Sequence, residues 1–145
     1  MSVAWTTPVT NRSIADIRAR NEKAFLNAGD MNRIESNIAY LSETLNLLFY
    51  PNQTQAKTDW DKQDIPAKDD IGRICGGISS IRDSFYTPAG YKDCSDLPDK
   101  ALDYEDINLL EMNLRLLKML LDQMRAGFKK ASFKSGKNQA LPKKL

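Results

Sequence analysis

Apolar residues recur at intervals alternating between three and four along three stretches of this chain. The first stripe is Met31, Ile34, Ile38, Leu41, Leu45 and Leu48. The second is Ile71, Ile74, Ile78, Ile81 and Phe85, and the third is Ile107, Leu110, Leu114, Leu117, Leu121, Met124 and Phe128. Such spacing puts one row of side chains on one face of a helix, in heptad register. Each stripe opens with a copy of one motif. Asp30-Met31-Asn32-Arg33-Ile34-Glu35-Ser36-Asn37-Ile38 returns as Asp106-Ile107-Asn108-Leu109-Leu110-Glu111-Met112-Asn113-Leu114, with Asp, Asn, Glu and Asn at the same offsets. A weaker copy, Asp70-Ile71-Gly72-Arg73-Ile74-Cys75-Gly76-Gly77-Ile78, lies between them. A repeat of this length marks a repeated structural unit.

The polar residues of the motif flank the apolar seam. With Met31 at position a of the heptad, Glu35 and Glu111 fall at e, and Asn37 and Asn113 at g, where a neighbouring helix would meet them. Asn32 and Asn108 complete the set. Asn disfavours helix interiors because its amide competes for backbone hydrogen bonds. Its recurrence predicts either a polar network across helices, formed by Asn32, Glu35, Asn37, Asn108, Glu111 and Asn113, or a solvated helix edge. In the middle copy Gly72, Gly76 and Gly77 cost about 1 kcal/mol each relative to Ala. They imply close backbone approach by another helix, or a degenerate, frayed copy.

Read in order, the chain predicts an all-α fold. It is a small bundle of about four helices with an internal repeat, an extended N-terminal arm and long loops. Residues 1–10 form the arm, since Pro8 disfavours helix at Thr7. Ser13 and Asp16 have helix-start spacing, and Ile14, Ile17 and Phe25 give a first helix a modest buried stripe ending at Asn27-Ala28-Gly29. A second helix starts near Asn27, with Asn27 and Asp30 as its cap pair, and stops at Pro51. Residues 51–66 are a loop or second arm bearing Trp60. A third helix spans about Ala67–Phe85. The fourth starts at Asp103, capped by Asp103 and Asp106, and ends at Gly127 and the Gly136 region. Leu109, Met112, Leu116 and Leu120 line a second face of it, so it is central in the bundle or shared between subunits. The heptads can be completed within one chain or between chains. The expected division is one helical domain, 1–126, and a basic tail, 127–145.

Composition narrows the chemistry. The 145 residues suffice for a real core, and 28% of them are charged. There is no histidine, the commonest general base and metal ligand. Two cysteines, Cys75 and Cys94, do not make a zinc site or a disulfide scaffold; a single bridge stays open. A reducing compartment is the simpler reading. No phosphate-binding glycine loop, nucleophile elbow or secretion signal is present, and Asn52-Gln53-Thr54 reads as a chance sequon. The acidic pairs sit where helix N-termini favour negative charge. Catalytic residues, cofactors and metals are not expected. Residues 1–124 carry 14 basic and 19 acidic side chains, a net of −5, whereas seven basic residues and no acid follow from Arg125. The tail, with Lys129, Lys130 and Lys134, is a solvated end, a nucleic-acid contact or a contact for the acidic surface of a neighbour. Phe128 and Phe133 alone offer stacking, which argues against nucleic acid. No segment is apolar enough to span a membrane, because Glu111, Arg115 and Lys118 interrupt the best run.

Trp5-Thr6-Thr7-Pro8, the Asp30–Ile38 motif, Lys57-Thr58-Asp59-Trp60 and Asp64-Ile65-Pro66 together resemble the N-terminal region of a family of small tail proteins. These are tail and baseplate or fibre-associated proteins of phages and prophages of Gram-positive bacteria. The resemblance covers most of residues 4–117. In that family the middle copy also carries Glu and Asn, where Cys75 and Gly77 stand here. Larger relatives continue into adhesive or fibre domains, so a separate receptor-binding domain is not expected in this chain. The resemblance implies a non-catalytic virion part in the tail, made in the host cytoplasm and present as a homo-oligomer in a symmetric assembly. Its partners would be other tail, baseplate or fibre proteins. The surfaces expected to meet them are Trp5, Trp60, Leu109, Met112, Leu116 and the basic tail. The competing expectation is a soluble helical adaptor that binds a protein or nucleic acid through that tail.

Overall fold

A computed structural model describes residues 3–21, 23 and 26–138, with side chains to residue 127. The described residues form four α-helices and no strand: α1 (Ile14–Ala19), α2 (Ala28–Leu47), α3 (Lys68–Ser84) and α4 (Tyr104–Asn138). A 3-10 turn, Leu97–Asp99, precedes α4.

The three motif helices begin alike. In each, the motif Asp accepts a hydrogen bond from the backbone N–H three residues earlier: Asn27 to Asp30 at 3.3 Å, Ala67 to Asp70 at 2.8 Å and Asp103 to Asp106 at 3.0 Å. Asn27 and Asp103 return the bond, each accepting from the N–H of its partner at 2.9 Å. These reciprocal pairs satisfy amides that a helix start leaves open. The Asn27–Asp30 and Asp103–Asp106 pairs expected from spacing are therefore both formed.

The three stripes meet as one core. At five motif-equivalent positions every residue is buried: Met31, Ile71 and Ile107; Ile34, Ile74 and Leu110; Ile38, Ile78 and Leu114; Leu41, Ile81 and Leu117; Leu45, Phe85 and Leu121. α2, α3 and α4 all touch one another. Contacts near the helix starts, Arg33 with Glu111 and Arg73 with Glu35, and further along, a Gly77 Cβ position 3.3 Å from Ile38 and Lys118 Nζ 5.8 Å from the Tyr40 ring centroid, follow the same register. The helices are thus parallel. The heptads close within one chain, and α4 is not more central than α2 or α3.

Parallel helices oblige the chain to run back along the bundle between them. α2 has 20 residues, which is about 30 Å of helix. The return runs lie over the seams between helices; the first two are extended, and the third is extended to Cys94 and then turns into the 3-10 turn at Leu97. They are called straps here: residues 6–12 lead to α1 and α2, residues 54–60 to α3, and residues 92–98 to α4.

Three expectations are corrected. α1 is only six residues, has no buried residue and leaves Ile14 and Ile17 exposed. It ends because Arg20 takes the left-handed conformation (φ 53°), and Asn27-Ala28-Gly29 opens α2 instead of closing α1. Phe25 lies outside the described residues. α4 runs unbroken through Gly127 and ends at Asn138, two residues past Gly136, so of the two glycine positions expected to close it Gly127 does not. One glycine costs a helix only about 1 kcal/mol and does not have to stop it. Residues 139–145 lie outside the described residues.

Candidate functional site: a polar clasp at the three seams

An extended strap has no sheet partner, so each of its backbone N–H and C=O groups needs one elsewhere. A side-chain amide carries one acceptor and two donors and can satisfy both groups of one residue. All four motif asparagines do this. Asn37 accepts from the Thr6 N–H at 2.9 Å and donates to the Thr6 carbonyl at 2.8 Å. Asn108 holds Arg12 at 3.1 and 2.9 Å, Asn32 holds Trp60 at 2.8 and 2.9 Å, and Asn113 holds Lys92 at 3.0 and 2.7 Å. They form neither Asn–Asn bonds across helices nor a solvated edge. They act as sheet partners for single residues of the straps.

The glutamates hold the strap midpoints. Glu111 accepts from the Val9 N–H at 3.1 Å, and Glu35 from the Lys57 N–H at 2.9 Å. Both carboxylates are fully buried. Each is also tied to the arginine of another motif copy: Arg33 of α2 reaches Glu111 of α4 at 2.6 Å, and Arg73 of α3 forks onto Glu35 of α2. Arg12 of the first strap adds a buried bond to Glu111 at 2.6 Å and one to Asp30 at 3.0 Å. The Trp60 indole N–H donates to Glu35. These carboxylates raise the pKa of both Arg33 and Arg73, chiefly through the hydrogen bonds from Glu111 and Glu35 respectively. The expected network across helices therefore exists for the glutamates, through arginines that spacing analysis left out. A signal was available, since Arg33 and Arg73 occupy the same motif offset.

The contacts close as a cycle. The first strap passes from α2 (Asn37) to α4 (Glu111, Asn108), and the second from α3 (Gly77) to α2 (Glu35, Asn32). The third passes from α4 (Asn113) to α3 (Cys75, Gly72). The touch points on the first two straps are three residues apart, at 6, 9 and 12 and at 54, 57 and 60; those of the third are at 92, 94 and 98. Where α3 lacks Asn, straps come close to glycine instead. A Cβ on Gly77 would lie 3.7 Å from Thr54 and one on Gly72 would lie 3.9 Å from Pro98. Of the three glycines only Gly77 is a tight approach, to Ile38 of α2 at 3.3 Å; Gly72 makes ordinary contact and a Cβ on Gly76 would meet nothing within 4 Å. In its seam with α4 the Arg and Glu positions are Leu109 and Cys75, so two of the three seams carry the ionic link.

The residues expected to meet partners are distributed unevenly. Trp60 is 6% exposed and belongs to the core of its own chain, because its ring fills the N-terminal end of the bundle and its N–H is bonded to Glu35. It is not available to a partner. Trp5 is partly buried, with its ring 5.7 Å from Tyr40 and beneath Lys118 Nζ at 5.4 Å. Leu109, Met112 and Leu116 are partly buried on the outer face of α4. Leu109 and Met112 line a cleft of about 370 Å³ between Thr10 and Lys92. The side chains of Lys129, Lys130 and Lys134 lie outside the described set. Among the described residues no group of three His, Cys, Asp or Glu could hold a metal ion, and no helix is long and apolar enough to cross a membrane. The chain matches no protein family, no curated protein and no solved structure.

Each Asn clamp has a separable readout. Asn37→Ala is expected to cost about 1–3 kcal/mol, the range for leaving buried polar groups without a partner. Hydrogen exchange should show the Thr6 amide losing protection while the Arg12 amide, on Asn108, keeps it. Loss at both sites, or at neither, would mean that the clamps do not act singly.

Proposed function

We propose that this chain is a structural subunit of a phage or phage-like tail, at the tip, baseplate or fibre attachment, and that it works by assembling with other proteins. The motif resemblance suggests the setting. The observation that carries an assembly role is Phe49. It follows α2 at the left-handed position of the helix end (φ 67°), where the Tyr50 N–H returns to Leu45 O at 2.8 Å and the Phe49 N–H to Asn46 O at 3.2 Å. Glycine is the residue that this position favours. A phenylalanine is disfavoured there by its Cβ, and it is also 92% exposed. Leu47 (73%) and Tyr86 (58%), near the same ends of α2 and α3, are exposed as well. Tyr86 also packs edge-on against Tyr50 and Phe85 of its own chain, but folding of the single chain gives no reason for the exposure of Phe49 and Leu47, whereas contact with a partner does.

Phe49→Gly separates the two roles. The variant should fold with a gain of about 1 kcal/mol, from relief of the left-handed strain, and should be lost from purified particles. The measurement is the ratio of this chain to the other tail proteins in particles from an induced culture. A variant that enters particles in the wild-type ratio argues against the assembly role of this end. A second reading, a soluble adaptor acting through residues 125–145, is favoured by the continuation of α4 beyond Leu121, the last shared core layer, into a stretch with seven basic residues and no acid. It expects the chain to be absent from particles and to bind a partner with a strong salt dependence that is lost on deleting the tail.

A further inference from the structure

The third seam lacks the carboxylate that holds the other two straps. At the Glu offset α3 carries Cys75, and the third strap places Cys94 against it. Cys94 Sγ lies 4.0 Å from the Cys75 carbonyl oxygen, which brings the third strap's thiol against the backbone of the residue at the Glu offset. Both cysteines are buried and both are free. We propose that Cys75 and Cys94 are a modification site: a dithiol that oxidises to a disulfide and staples the third strap, just ahead of α4, to α3.

The geometry favours bonding within the chain over bonding between chains, since both thiols are buried and Cys94 Sγ already reaches the Cys75 backbone. The chain between them includes the end of α3 and the turn at Thr87–Gly90, so the bond would close a loop that otherwise opens freely on unfolding. The oxidant would be a small disulfide such as oxidised glutathione. Cys94, whose pKa the Cys75 thiol lowers while that of Cys75 is raised, is the first nucleophile. Its thiolate attacks one sulfur of glutathione disulfide, forming a mixed disulfide and expelling one glutathione thiolate. Cys75, giving up its proton, then attacks Cys94 Sγ and expels the second. The two protein thiols lose two electrons and two protons, and both appear on the two glutathiones released. Cys94 is buried, but its neighbours Lys92, Asp93, Ser95 and Asp96 are exposed, so lifting one strap exposes it.

The test is to incubate the reduced, full-length chain in glutathione buffers of increasing oxidised fraction, quench with a thiol-alkylating reagent and weigh the intact chain. The expected product is a monomer lighter than the reduced chain by the mass of two hydrogens, refractory to alkylation, with one linked peptide pair containing Cys75 and Cys94. Its Tm should rise by roughly 5–10 °C, and the rise should vanish in Cys94→Ala. Two thiols that stay open to alkylation at every ratio would overturn the proposal. So would oxidation that yields only glutathione adducts or linked dimers. If Cys94→Ala does not fold, the mass of the wild-type chain still decides.

Discussion

Glu111→Ala is expected to destabilise the chain by about 3–5 kcal/mol, the cost of breaking a buried ion pair from one side. Glu111 is fully buried and accepts from the Val9 N–H, from Arg12 Nη2 and from both Nε and Nη2 of Arg33. Around it two arginines face two carboxylates, Glu111 and Asp30. Removing one carboxylate leaves Arg12, itself buried, with Asp30 as its only ionic partner. The removed side chain also abandons the midpoint of the first strap. Glu111→Gln should lie between, since its amide oxygen still accepts from Val9 while the charge imbalance stays. Urea titration followed by circular dichroism measures both. Losses below about 1 kcal/mol, the scale of an exposed pair, would show that water enters the seam and the network is not a structural clasp.

Trp60→Ala is expected to cost a further 3–5 kcal/mol or so, as for other large buried aromatics. Three losses combine there. The ring leaves a cavity in the core, Glu35 loses the indole donor, and Asn32 retains its hold on a residue no longer packed. Trp60→Phe restores most of the volume but not the N–H, so the difference between the two variants isolates packing from the hydrogen bond. Trp5→Ala, by contrast, removes a partly buried ring packed on Tyr40 and should cost much less. The sequence-based expectation that Trp5 and Trp60 form a pair of partner contacts therefore divides. Replacing both would test folding before it tested assembly. If Trp60→Ala kept wild-type stability in thermal melts, the ring could not be part of the core as described.

The asymmetry between the seams bears on what the clasp does. A buried ion pair is weak evidence for added stability, because the charges lose their hydration. Its clearer effect is on register. Arg33 to Glu111 and Arg73 to Glu35 join unequal offsets of parallel helices, and a slip of one turn would leave buried charges unpaired. The third seam has no such device; there the third strap packs on α3 through Pro98 against Gly72 and Cys94 against Cys75.

Much of this architecture follows from local pattern. The stripes determine which faces are buried, because helical periodicity repeats every three or four residues and burial rewards a continuous apolar row. The pairs Asn27–Asp30 and Asp103–Asp106 determine where two helices begin, because a cap is made within four residues. The recurrence of Asn and Glu marks the polar positions that matter. The tertiary structure alone decides what those residues hold. Asn37 meets Thr6, Asn108 meets Arg12 and Glu111 meets Val9 across separations of 31, 96 and 102 residues, and no local spacing encodes which strap crosses which seam. Burial of Trp60, exposure of Ile14 and Ile17, and the persistence of α4 past Gly127 likewise depend on what packs nearby. A side chain's own preference is smaller than the free energy of the contacts that the assembled bundle gives it or withholds from it.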